Sequence, residues 1–572
     1  MENTFNILHP DIQAVQQIQT ALKCHPVIAA ILANRGINSP AAAASFMKPS
    51  VHNLRSPSGL KDMDVAVHRI YQAIRREEKI LIFGDYDVDG ITATCILLEF
   101  LQKAGADISH YIPHRIQEGY GLQTSHIREV AAANGIQLII TADCGSSSHE
   151  AVETAKKYHI DIVITDHHQM PAAGPQALAI VNPNRHDCSS GLENLAGVGV
   201  AFYLLMALRK HMRDMNFWDR TPEPNLKNLC DLVALGTVAD QVPLLGENRI
   251  LTRTGLDLID SGNRPGIRAL KEVCNIRQAT ANTEDVAYKL APRLNAAGRM
   301  AHANISLELL ATRDADTARR LARSIDDFNA QRQMLEKKTY VEILEHLNDT
   351  PDILLRKALV LSSDKWNVGV LGIVASRLVE KFFRPVVLIA LEGPEGKGSA
   401  RSLPGFDLYQ GLLACSDDLE TFGGHCLAAG LKIKAERMDR FRVHFETAVS
   451  GMSKTQDLTP ALSVDAALDF RAISAGLVDE LQALEPFGPG NSEPLFTAGD
   501  IHVLSWKIVG KNHRKMLLKQ GPGSPHSAMN AIHFNIDPRE PVPKHFEQIA
   551  FRLRWNEWNG NKIPQIIIDR VI

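Results

Sequence analysis

The chain has 572 residues, of which 45% are hydrophobic and 22% are charged, and its formal net charge is −3. This length is too great for one ordinary core and predicts three to four domains, and the composition is typical of a soluble globular protein. The small net charge argues against a protein that coats duplex DNA with a broad basic face, although a narrow basic channel is compatible with it.

The sequence also indicates a compartment. It has no run of about 18 apolar residues, so no membrane association is expected. Its first residues, "MENTFNILHPDIQ", have no basic region followed by an apolar one, so a secretory signal is not expected. The eight cysteines are scattered without a CxxC pair, which indicates reduced thiols in the cytoplasm and no zinc or disulfide framework.

Taken in chain order, the first half reads as a helical extension followed by an α/β domain. Residues 1–50 carry short helical patterns. Over residues 51–314, apolar strands such as "ILIFG", "ISHYIP" and "IDIVIT" alternate with amphipathic helices. This alternation predicts a doubly wound, mainly parallel α/β sheet.

The second half begins with a long connecting helix, predicted over residues 315–350 because the segment lacks Gly and Pro and keeps helical spacing. A second α/β domain is expected over 351–455, with strands "ALVLSS" and "PVVLIAL" and two glycine-rich stretches that interrupt the pattern. The short strands and turns of 460–572 predict a small β-barrel of the OB-fold type.

Acidic residues and histidines follow the predicted strands. Asp85, Asp87 and Asp89 follow "ILIFG", and an extended segment would point all three side chains to one side. The others are Asp143 after "LIITA", Asp166, His167 and His168 after "DIVIT", and Asp240 after a glycine turn in "LVALGTVAD". Ligands bind at the carboxyl ends of parallel strands, so these residues are expected to converge.

Each of these residues has a structural explanation when taken alone. A single Asp after a strand is usually a turn or helix-cap residue, and a His-His pair is more often surface or core than ligand. Their shared position at strand exits favours metal binding instead. Carboxylates with one or two imidazoles suit Mn²⁺ or Mg²⁺, and two such cations would clamp a phosphate for hydrolysis.

The motifs "DYDVDG", "TADCG", "DHH" and "GTVAD" resemble those of the DHH phosphoesterases, and "FGGHCLAAG" resembles the DHH-associated domain. Within this superfamily, "EGYGL", "LAGVGVAF", "APRLNAAGRM", "GIVASRL" and "EPFGPGNSEP" resemble the RecJ exonucleases, which degrade single-stranded DNA from 5′ to 3′. The resemblance runs in order from about residue 50 to the C-terminus. It implies two Mn²⁺ or Mg²⁺ ions per active site and release of 5′-mononucleotides in DNA repair and recombination.

The resemblance also implies roles at the matching positions. Asp87 would bind one metal and Asp89 the other, and Asp143 would bridge both. His167 and Asp240 would complete the second metal. Asp85 and Asp166 would orient ligands from behind, and His168 would face the scissile phosphate.

The resemblance implies phosphate anchors as well. Arg115, Ser399 and Arg401 would hold the 5′-terminal phosphate, and Arg293 or Arg299 would approach the scissile region. His425 would add a contact between glycines. Without the family, an isolated Arg is usually a solvated surface charge. The glycine pair of "LAGVGV" is, on its own, more typical of a tight turn than of a nucleotide loop.

The predicted barrel carries basic residues interleaved with tryptophans, a combination suited to single-strand binding by backbone attraction and base stacking. Trp506, Lys511 and Arg514 are the candidates on this surface. The alternative is that the tryptophans are barrel core, which we expect for at least one of Trp506, Trp555 and Trp558.

Two positions depart from the family pattern. Asn367 stands where the family usually has His, so acid–base duty there is in doubt. Ala400 replaces the second glycine of the family's "GSGRS" pattern and would add a methyl group where the protein backbone passes close to DNA.

The sequence therefore predicts a monomeric, metal-dependent exonuclease whose substrate is single-stranded DNA, with a single-strand-binding protein and a helicase as candidate partners. One alternative is a small-substrate phosphoesterase of the superfamily, acting on short RNA, cyclic dinucleotides or pyrophosphate. The other is an inactive single-strand-binding homologue.

Overall fold

The computed structural model describes residues 5–219, 221–276, 281–452, 462–521, 528–558 and 561–572. Its first segment forms strand β1 (Phe5–Ile7) and helices α1 (Ile12–Leu22), α2 (Pro26–Asn34) and α3 (Pro40–Met47). Apolar side chains of these helices, among them Ile18, Ile28 and Leu32, are buried in one cluster with residues of the C-terminal barrel. The N-terminal helices therefore complete the hydrophobic core of a distant part of the chain.

The first α/β lobe is built on a five-stranded parallel sheet in the order β3-β2-β4-β5-β6. Its strands are short and mostly buried, as expected for a sheet covered on both faces. The strands are β2 (Ile80–Gly84), β3 (Ile108–Tyr111), β4 (Leu138–Ala142), β5 (Asp161–Thr165) and β6 (Ala179–Val181).

Helices cover this sheet and extend the lobe to its end. Those from the first part are α4 (Met63–Arg75), α5 (Val88–Lys103), α6 (His149–Lys157) and α7 (Gly197–Asp214). The later ones are α8 (Cys230–Ala239), α9 (Gly246–Ser261), α10 (Pro265–Val273), α11 (Thr283–Asp285), α12 (Ala291–Met300) and α13 (Asn304–Ala311). One large apolar core joins both groups to the sheet.

A single helix, α14 (Ala315–Asp349), leads from the first lobe to the second. At 1.5 Å per residue it is about 50 Å long. Ala318, Leu321 and Ile325 near its start are buried in the core of the first lobe, whereas Ile343 and Leu347 near its end are buried in the second. The helix is therefore anchored at both ends.

The second lobe contains a mixed five-stranded sheet in the order β10-β11-β9-β8-β7. Its elements are β7 (Leu359–Ser363), α15 (Val368–Phe382), β8 (Val386–Glu392), β9 (Glu395–Arg401), α16 (Leu408–Leu413), β10 (Leu419–Gly424), β11 (Ala428–Lys434) and α17 (Met438–Met452). The glycine-rich stretches do interrupt the strand–helix alternation, because they lie in β9, at the end of β10 and at the start of β11, which pair antiparallel. A side chain at Gly398 would lie 2.8 Å from Ile389 and 2.9 Å from Leu431, so any larger residue there would require these neighbours to shift.

The C-terminal part is a closed barrel of five strands, preceded by β12 (Leu462–Val464), β13 (Ala466–Ala467) and α18 (Ala475–Gln482). Pairing runs β14-β15-β16-β18-β17, and an additional β14–β17 ladder closes the barrel. The strands are β14 (Phe496–Val509), β15 (His513–Gln520), β16 (Ala528–His533), β17 (His545–Trp558) and β18 (Asn561–Val571).

The predicted fold class is confirmed: a parallel α/β lobe, a long connecting helix, a second α/β lobe and an OB-type barrel. The predicted boundaries at 455 and 460 lie outside the described residues. Among the helices of the described ranges, none has the length and apolarity needed to cross a bilayer.

Candidate metal centre and phosphate pocket

Parallel pairing brings the polar strand ends of the first lobe to one edge. The backbone N–H of Asp85, just past β2, donates to the carbonyl of Ala142, and that of Asp143, just past β4, donates to Thr165. Asp143 adopts a left-handed backbone with φ of 65°, a costly conformation for a residue other than glycine. The sheet thus fixes both carboxylates at its carboxyl edge.

The other two aspartates of "DYDVDG" are held by helix geometry. Asp87 is the N-cap of α5, and its Oδ1 accepts from the N–H of Gly90 at 3.1 Å. Asp89 lies in the first turn of α5 and accepts from the N–H groups of Gly197 and Val198 at 2.6 and 2.9 Å. The predicted extended alternation of the three aspartates was therefore wrong beyond Asp87, because the helix begins at Val88.

Asp240 also lies at the end of a helix. It is the C-cap of α8, with its N–H donating to Gly236, whereas a strand exit was expected. The correction has a physical reason: α8 is buried almost throughout and its apolar run resembles a buried strand. A side chain at Gly236 would lie 2.8 Å from Asp89, so helix α8 packs directly against the acidic residues.

These residues converge on one small space. The Nε2 atom of His167 lies 3.2 Å from Asp143, 3.5 Å from Asp240 and 3.8 Å from Asp89. Two neighbouring groups each have ligand atoms within 4.8 Å of one another: Asp89 with His167 and Asp240, and Asp85 with Asp87 and Asp143. We call these six residues the acidic cluster.

Four atoms of the acidic cluster are buried without a hydrogen-bond partner among the described residues: an oxygen each of Asp85, Asp143 and Asp240, and Nε2 of His167. Buried polar atoms are rarely left unpaired. Carboxylate oxygens with one imidazole are a donor set that suits Mn²⁺ or Mg²⁺, so the residues fit two divalent cations. Asp85, expected behind the ligands, offers a free oxygen as the others do.

Without cations the cluster is electrostatically strained. Burial, followed by the charge of Asp87, raises the pKa of Asp89 to about 7, and burial with Asp89 raises that of Asp240 to about 9. Burial and the neighbouring aspartates also raise the pKa of Asp143 and Asp85 well above their usual range. Bound cations would relieve this repulsion.

The two histidines have opposite protonation. Burial and the neighbouring His168 lower the pKa of His167 to about 4, which keeps its imidazole neutral as a metal ligand must be. Burial would lower the pKa of His168 too, but its 2.8 Å hydrogen bond to Asp166 raises it to about 9. His168 is therefore a cation at neutral pH.

Asp166 holds this histidine pair in place. One carboxylate oxygen accepts from the N–H groups of His167 and His168, and the other accepts from the N–H of Ser146 at 2.9 Å. Burial alone would raise its pKa, yet the hydrogen bond and charge of His168 hold the pKa below the usual range. Asp166 is thus hydrogen-bonded to the backbone of both histidines and to the ring of His168.

Two contributors were missed by the sequence reading. The hydroxyl of Tyr120 donates to the carbonyl of Asp143 at 3.3 Å and lies 3.1 Å from Nδ1 of His168. The glycine motif of "LAGVGV" is a helix start, where a side chain on Gly197 would lie 2.3 Å from Asp143. Nothing in a lone tyrosine or glycine pair marks either contact in advance.

A basic pocket adjoins the acidic cluster. The guanidinium of Arg115 lies over the ring of Tyr86 at 4.6 Å, next to Asp85 and Asp87 in sequence. Burial and the charge of Arg115 lower the pKa of both Arg299 and Arg401, so the three guanidinium groups repel one another. In the described chain their hydrogen bonds go to Gly369, Ser399 and Ala400 and not to carboxylates.

The first turns of α15 form one wall of this pocket, since a side chain on Gly372 would lie 2.7 Å from Arg401 and 3.0 Å from Ser399. Asn367 caps α15 by accepting from the N–H of Gly369 at 2.8 Å, a role that needs no proton transfer. We call Arg115, Arg299, Ser399 and Arg401 the arginine pocket. Partly buried cations that lack a carboxylate partner are suited to phosphate.

Three sequence expectations need correction here. The methyl group of Ala400 is buried in the core of the second lobe, because side chains alternate along β9, and it does not approach the pocket. Arg293 forms a 2.7 Å ion pair with Asp326 and donates to Lys289, so Arg299 is the arginine that joins the pocket. Arg514 is buried and donates to the carbonyl of Glu540, so it is not a free DNA contact.

The remaining predicted residues are accessible. His425, in the second lobe, stacks on His168 with ring centroids 5.8 Å apart, so both lobes contribute to the site. On the barrel, Trp506 is 50% exposed and Lys511 is exposed. Trp555 packs against the barrel core and donates to Asp479, as expected for at least one tryptophan.

Comparisons with known proteins match all three domains and nearly the full length of the chain. Three family models match: the DHH family, N-terminal domain, at 79–237; the DHHA1 domain at 356–451; and the RecJ OB domain at 464–570. The chain is 35% identical over 570 residues to the single-stranded-DNA-specific exonuclease RecJ of Bacillus subtilis, covering 99% of this chain and 70% of that one. It is 37% identical over 562 residues to RecJ of Salmonella typhimurium, covering 96% of each.

Solved structures are similar over the whole chain. RecJ from Thermus thermophilus in complex with Mn²⁺ matches with a TM-score of 0.84 and 28% identity, covering all of this chain and 80% of that one. The same protein in complex with Mg²⁺ matches with a TM-score of 0.77 and 28% identity, covering 99% of this chain and 78% of that one.

Proposed function

Because the chain belongs to the RecJ family of single-stranded-DNA-specific exonucleases, we propose that it degrades single-stranded DNA from the 5′ end and releases 5′-mononucleotides. The observation that carries this proposal is the adjacency of two sites. The arginine pocket lies beside the acidic cluster, with Tyr86 between Arg115 and the aspartates. A terminal phosphate held in the pocket would bring the next phosphodiester to the cluster.

In this proposal each group of residues has a defined task. Asp87, Asp89, Asp143, His167 and Asp240 hold two cations, Mn²⁺ or Mg²⁺, and the free oxygen of Asp85 is oriented toward the same space. Bound cations would supply an activated water and neutralise the charge of the phosphate. His168, protonated at neutral pH and fixed by Asp166, donates to a phosphate oxygen as negative charge develops.

The remaining tasks concern the strand. Arg115, Ser399 and Arg401 bind the terminal 5′-phosphate, Arg299 approaches the scissile phosphate, and His425 contacts the strand from the second lobe. Exposed Trp506 and Lys511 would bind single-stranded DNA on the barrel by stacking and backbone attraction. A cytoplasmic monomer that acts in DNA repair and recombination, with a single-strand-binding protein and a helicase as partners, completes the proposal.

The direction of digestion is tested with linear single strands labelled at the 5′ or the 3′ end, in Mn²⁺ or Mg²⁺, with and without a 5′-phosphate. We expect the 5′ label to appear at once as a mononucleotide and the 3′ label to be released last. A circular single strand is the control, since an exonuclease leaves it intact. Early release of the 3′ label would overturn the direction, and cleavage of the circle would overturn the exonuclease assignment.

A further inference from the structure

A second group of metal-ligating side chains lies on the barrel, in a different domain from the acidic cluster. His502 on β14 and His545, the first residue of β17, are directly opposite partners in the antiparallel ladder that closes the barrel. Side chains of opposed residues project from the same face with Cβ atoms about 5 Å apart. Asp500 precedes His502 by two residues, and its carboxylate contacts the rings of both histidines.

The three side chains already point at a common position. Nε2 of His545 lies 2.9 Å from Oδ1 of Asp500, and Nε2 of His502 lies 3.2 Å from the same oxygen. The two imidazole centroids are 4.8 Å apart. All three ligand atoms lie within 4.8 Å of one another, so a small shift of the carboxylate would admit an ion between them.

The backbone contributes to this arrangement. Asp500 has a left-handed backbone with φ of 57°, and its carbonyl accepts from the N–H of Gly521 at 2.8 Å. A non-glycine residue in that conformation is costly unless its surroundings require it. Here the conformation turns the Asp500 carboxylate toward the two histidines.

We propose that Asp500, His502 and His545 form a zinc site that links β14 to β17 on the surface of the barrel. Two imidazoles and one carboxylate are a set that Zn²⁺ binds in tetrahedral geometry, whereas Mg²⁺ prefers oxygen ligands alone. The side chains are 55%, 43% and 42% exposed, which leaves the fourth position open to water or to a ligand. This donor set differs from that of the acidic cluster, which is mainly carboxylate.

The site would act on the barrel as a cross-link. β17 is the strand that closes the barrel against β14, and Trp506 lies four residues beyond His502 on the same strand. An ion that binds only the paired arrangement stabilises the closed barrel by mass action. The alternative is a surface hydrogen-bond trio in which one aspartate oxygen accepts from both rings, and it predicts no zinc uptake.

The test counts Zn²⁺ in the full chain by equilibrium dialysis. The parent protein for this test carries Asp143→Asn and His167→Gln, which remove ligands of the acidic cluster, and every variant compared with it carries the same two changes. We expect this parent to retain about one Zn²⁺ per chain and to lose it when His545→Gln is added. His52→Gln, at an exposed histidine outside the group, is the matched control and should retain the ion.

Two further measurements distinguish a loss of zinc binding from misfolding. Added Co²⁺ should give the parent the visible absorption of a four-coordinate ion, which His545→Gln and Asp500→Asn should lack. Without metal, the parent and His545→Gln should unfold at the same temperature, and Zn²⁺ should raise it only in the parent. Equal zinc uptake by the parent and His545→Gln, or no uptake by either, would overturn the proposal.

Discussion

At the scale of single residues, the acidic cluster is a set of like charges whose repulsion is relieved by bound protons or by bound cations. Its carboxyls have folded pKa values of about 7 for Asp89 and about 9 for Asp240, against about 4 in an unfolded chain. A carboxyl with a raised folded pKa gives its full stabilisation below the unfolded pKa. That stabilisation is lost as the pH rises through the folded value.

This direction of the pH dependence gives a prediction for metal removal. In the presence of a chelator, the melting temperature should fall as the pH rises from about 5 to about 9. Added Mn²⁺ should raise the melting temperature more at about pH 8 than at about pH 6, because protons compete with the cation for the carboxylates. Calorimetry in both conditions measures this, with Asp240→Asn as the variant whose metal-free profile is flatter. A Mn²⁺ effect of equal size at both pH values would contradict the cluster as the metal site.

The arginine pocket gives a second prediction at this scale. Arg401 has no carboxylate partner in the described chain, and Arg401→Gln removes its guanidinium. Affinity for strands with a 5′-phosphate should therefore fall about 10- to 100-fold, because a hydrogen bond to a charged group contributes about 1.5 to 3 kcal/mol. Strands with a 5′-hydroxyl should be affected less.

Competition binding with both strands measures the difference. Arg356→Gln, at an exposed arginine of the second lobe, is the control. If Arg401→Gln weakened both strands equally, the pocket would not be reading the terminal phosphate.

Many site residues could be predicted because parallel strands present their ends at one edge. Asp85, Asp143 and Asp166 follow buried strands, and the structure brings Asp85 and Asp143 into the cluster and Asp166 beside it. Asp240 was placed after a strand because a fully buried helix has no polar face to reveal its period. The contact of Tyr120 depends on loop packing, which leaves no periodic signal.

At the scale of elements, α14 is the part that sequence predicted most closely, at 315–350 against the observed Ala315–Asp349. Absence of Gly and Pro over that length leaves few alternatives to a helix. The glycine-rich strand β9 could not be predicted, since glycine normally weakens a strand. The glycine at position 398 is explained by packing, because a side chain there would meet Ile389 and Leu431.

Continuity of α14 should matter for function, because helices from both lobes pack against it and both lobes line the site. Lys338 is exposed in its middle, and Lys338→Pro removes a backbone hydrogen bond at a cost of about 3 kcal/mol or more. We expect the exonuclease rate to fall at least about tenfold, because each increase of about 1.4 kcal/mol in the activation free energy lowers the rate tenfold.

The matched control is Lys338→Ala, which keeps the helix and should keep the rate. Digestion of a labelled single strand compares the two, and circular dichroism checks that both proteins fold. A proline variant with the rate of the alanine variant would show that the helix does not couple the lobes.

At the scale of the whole molecule, the N-terminal segment is joined to the C-terminal part of the chain. β1 pairs in parallel with β12, with Phe5 opposite Leu462, and the N-terminal helices share a core with the barrel. No local pattern encodes a contact between residues so far apart in sequence. Truncating the barrel would therefore expose the core beneath the N-terminal helices, and it would also remove the surface that we propose binds single-stranded DNA.

Arg249 is the residue at this junction. It is 2% exposed, lies 3.8 Å from the ring centroid of Phe46, and donates to the carbonyls of Phe46, Leu484 and Glu485. Arg249→Met should destabilise the fold by about 2 to 4 kcal/mol because it leaves these buried acceptors without a donor.

Urea unfolding measures this loss, and Arg253→Met, at an exposed position of the same helix, is the control. Equal stability of the two variants would mean that the carbonyls find other donors and that Arg249 does not hold the junction.

We propose that the acidic cluster performs the hydrolysis of single-stranded DNA. Asp143 belongs to the same group of ligand atoms as Asp85 and Asp87 and lies 3.2 Å from His167, so Asp143→Asn changes one charge at the point where the cluster converges. The direct measurement is single-turnover digestion of a 5′-phosphorylated strand in metal-stripped buffer with added Mn²⁺. We expect a loss of at least about a thousandfold in a variant that remains folded. A folded Asp143→Asn protein with the wild-type rate would contradict the account.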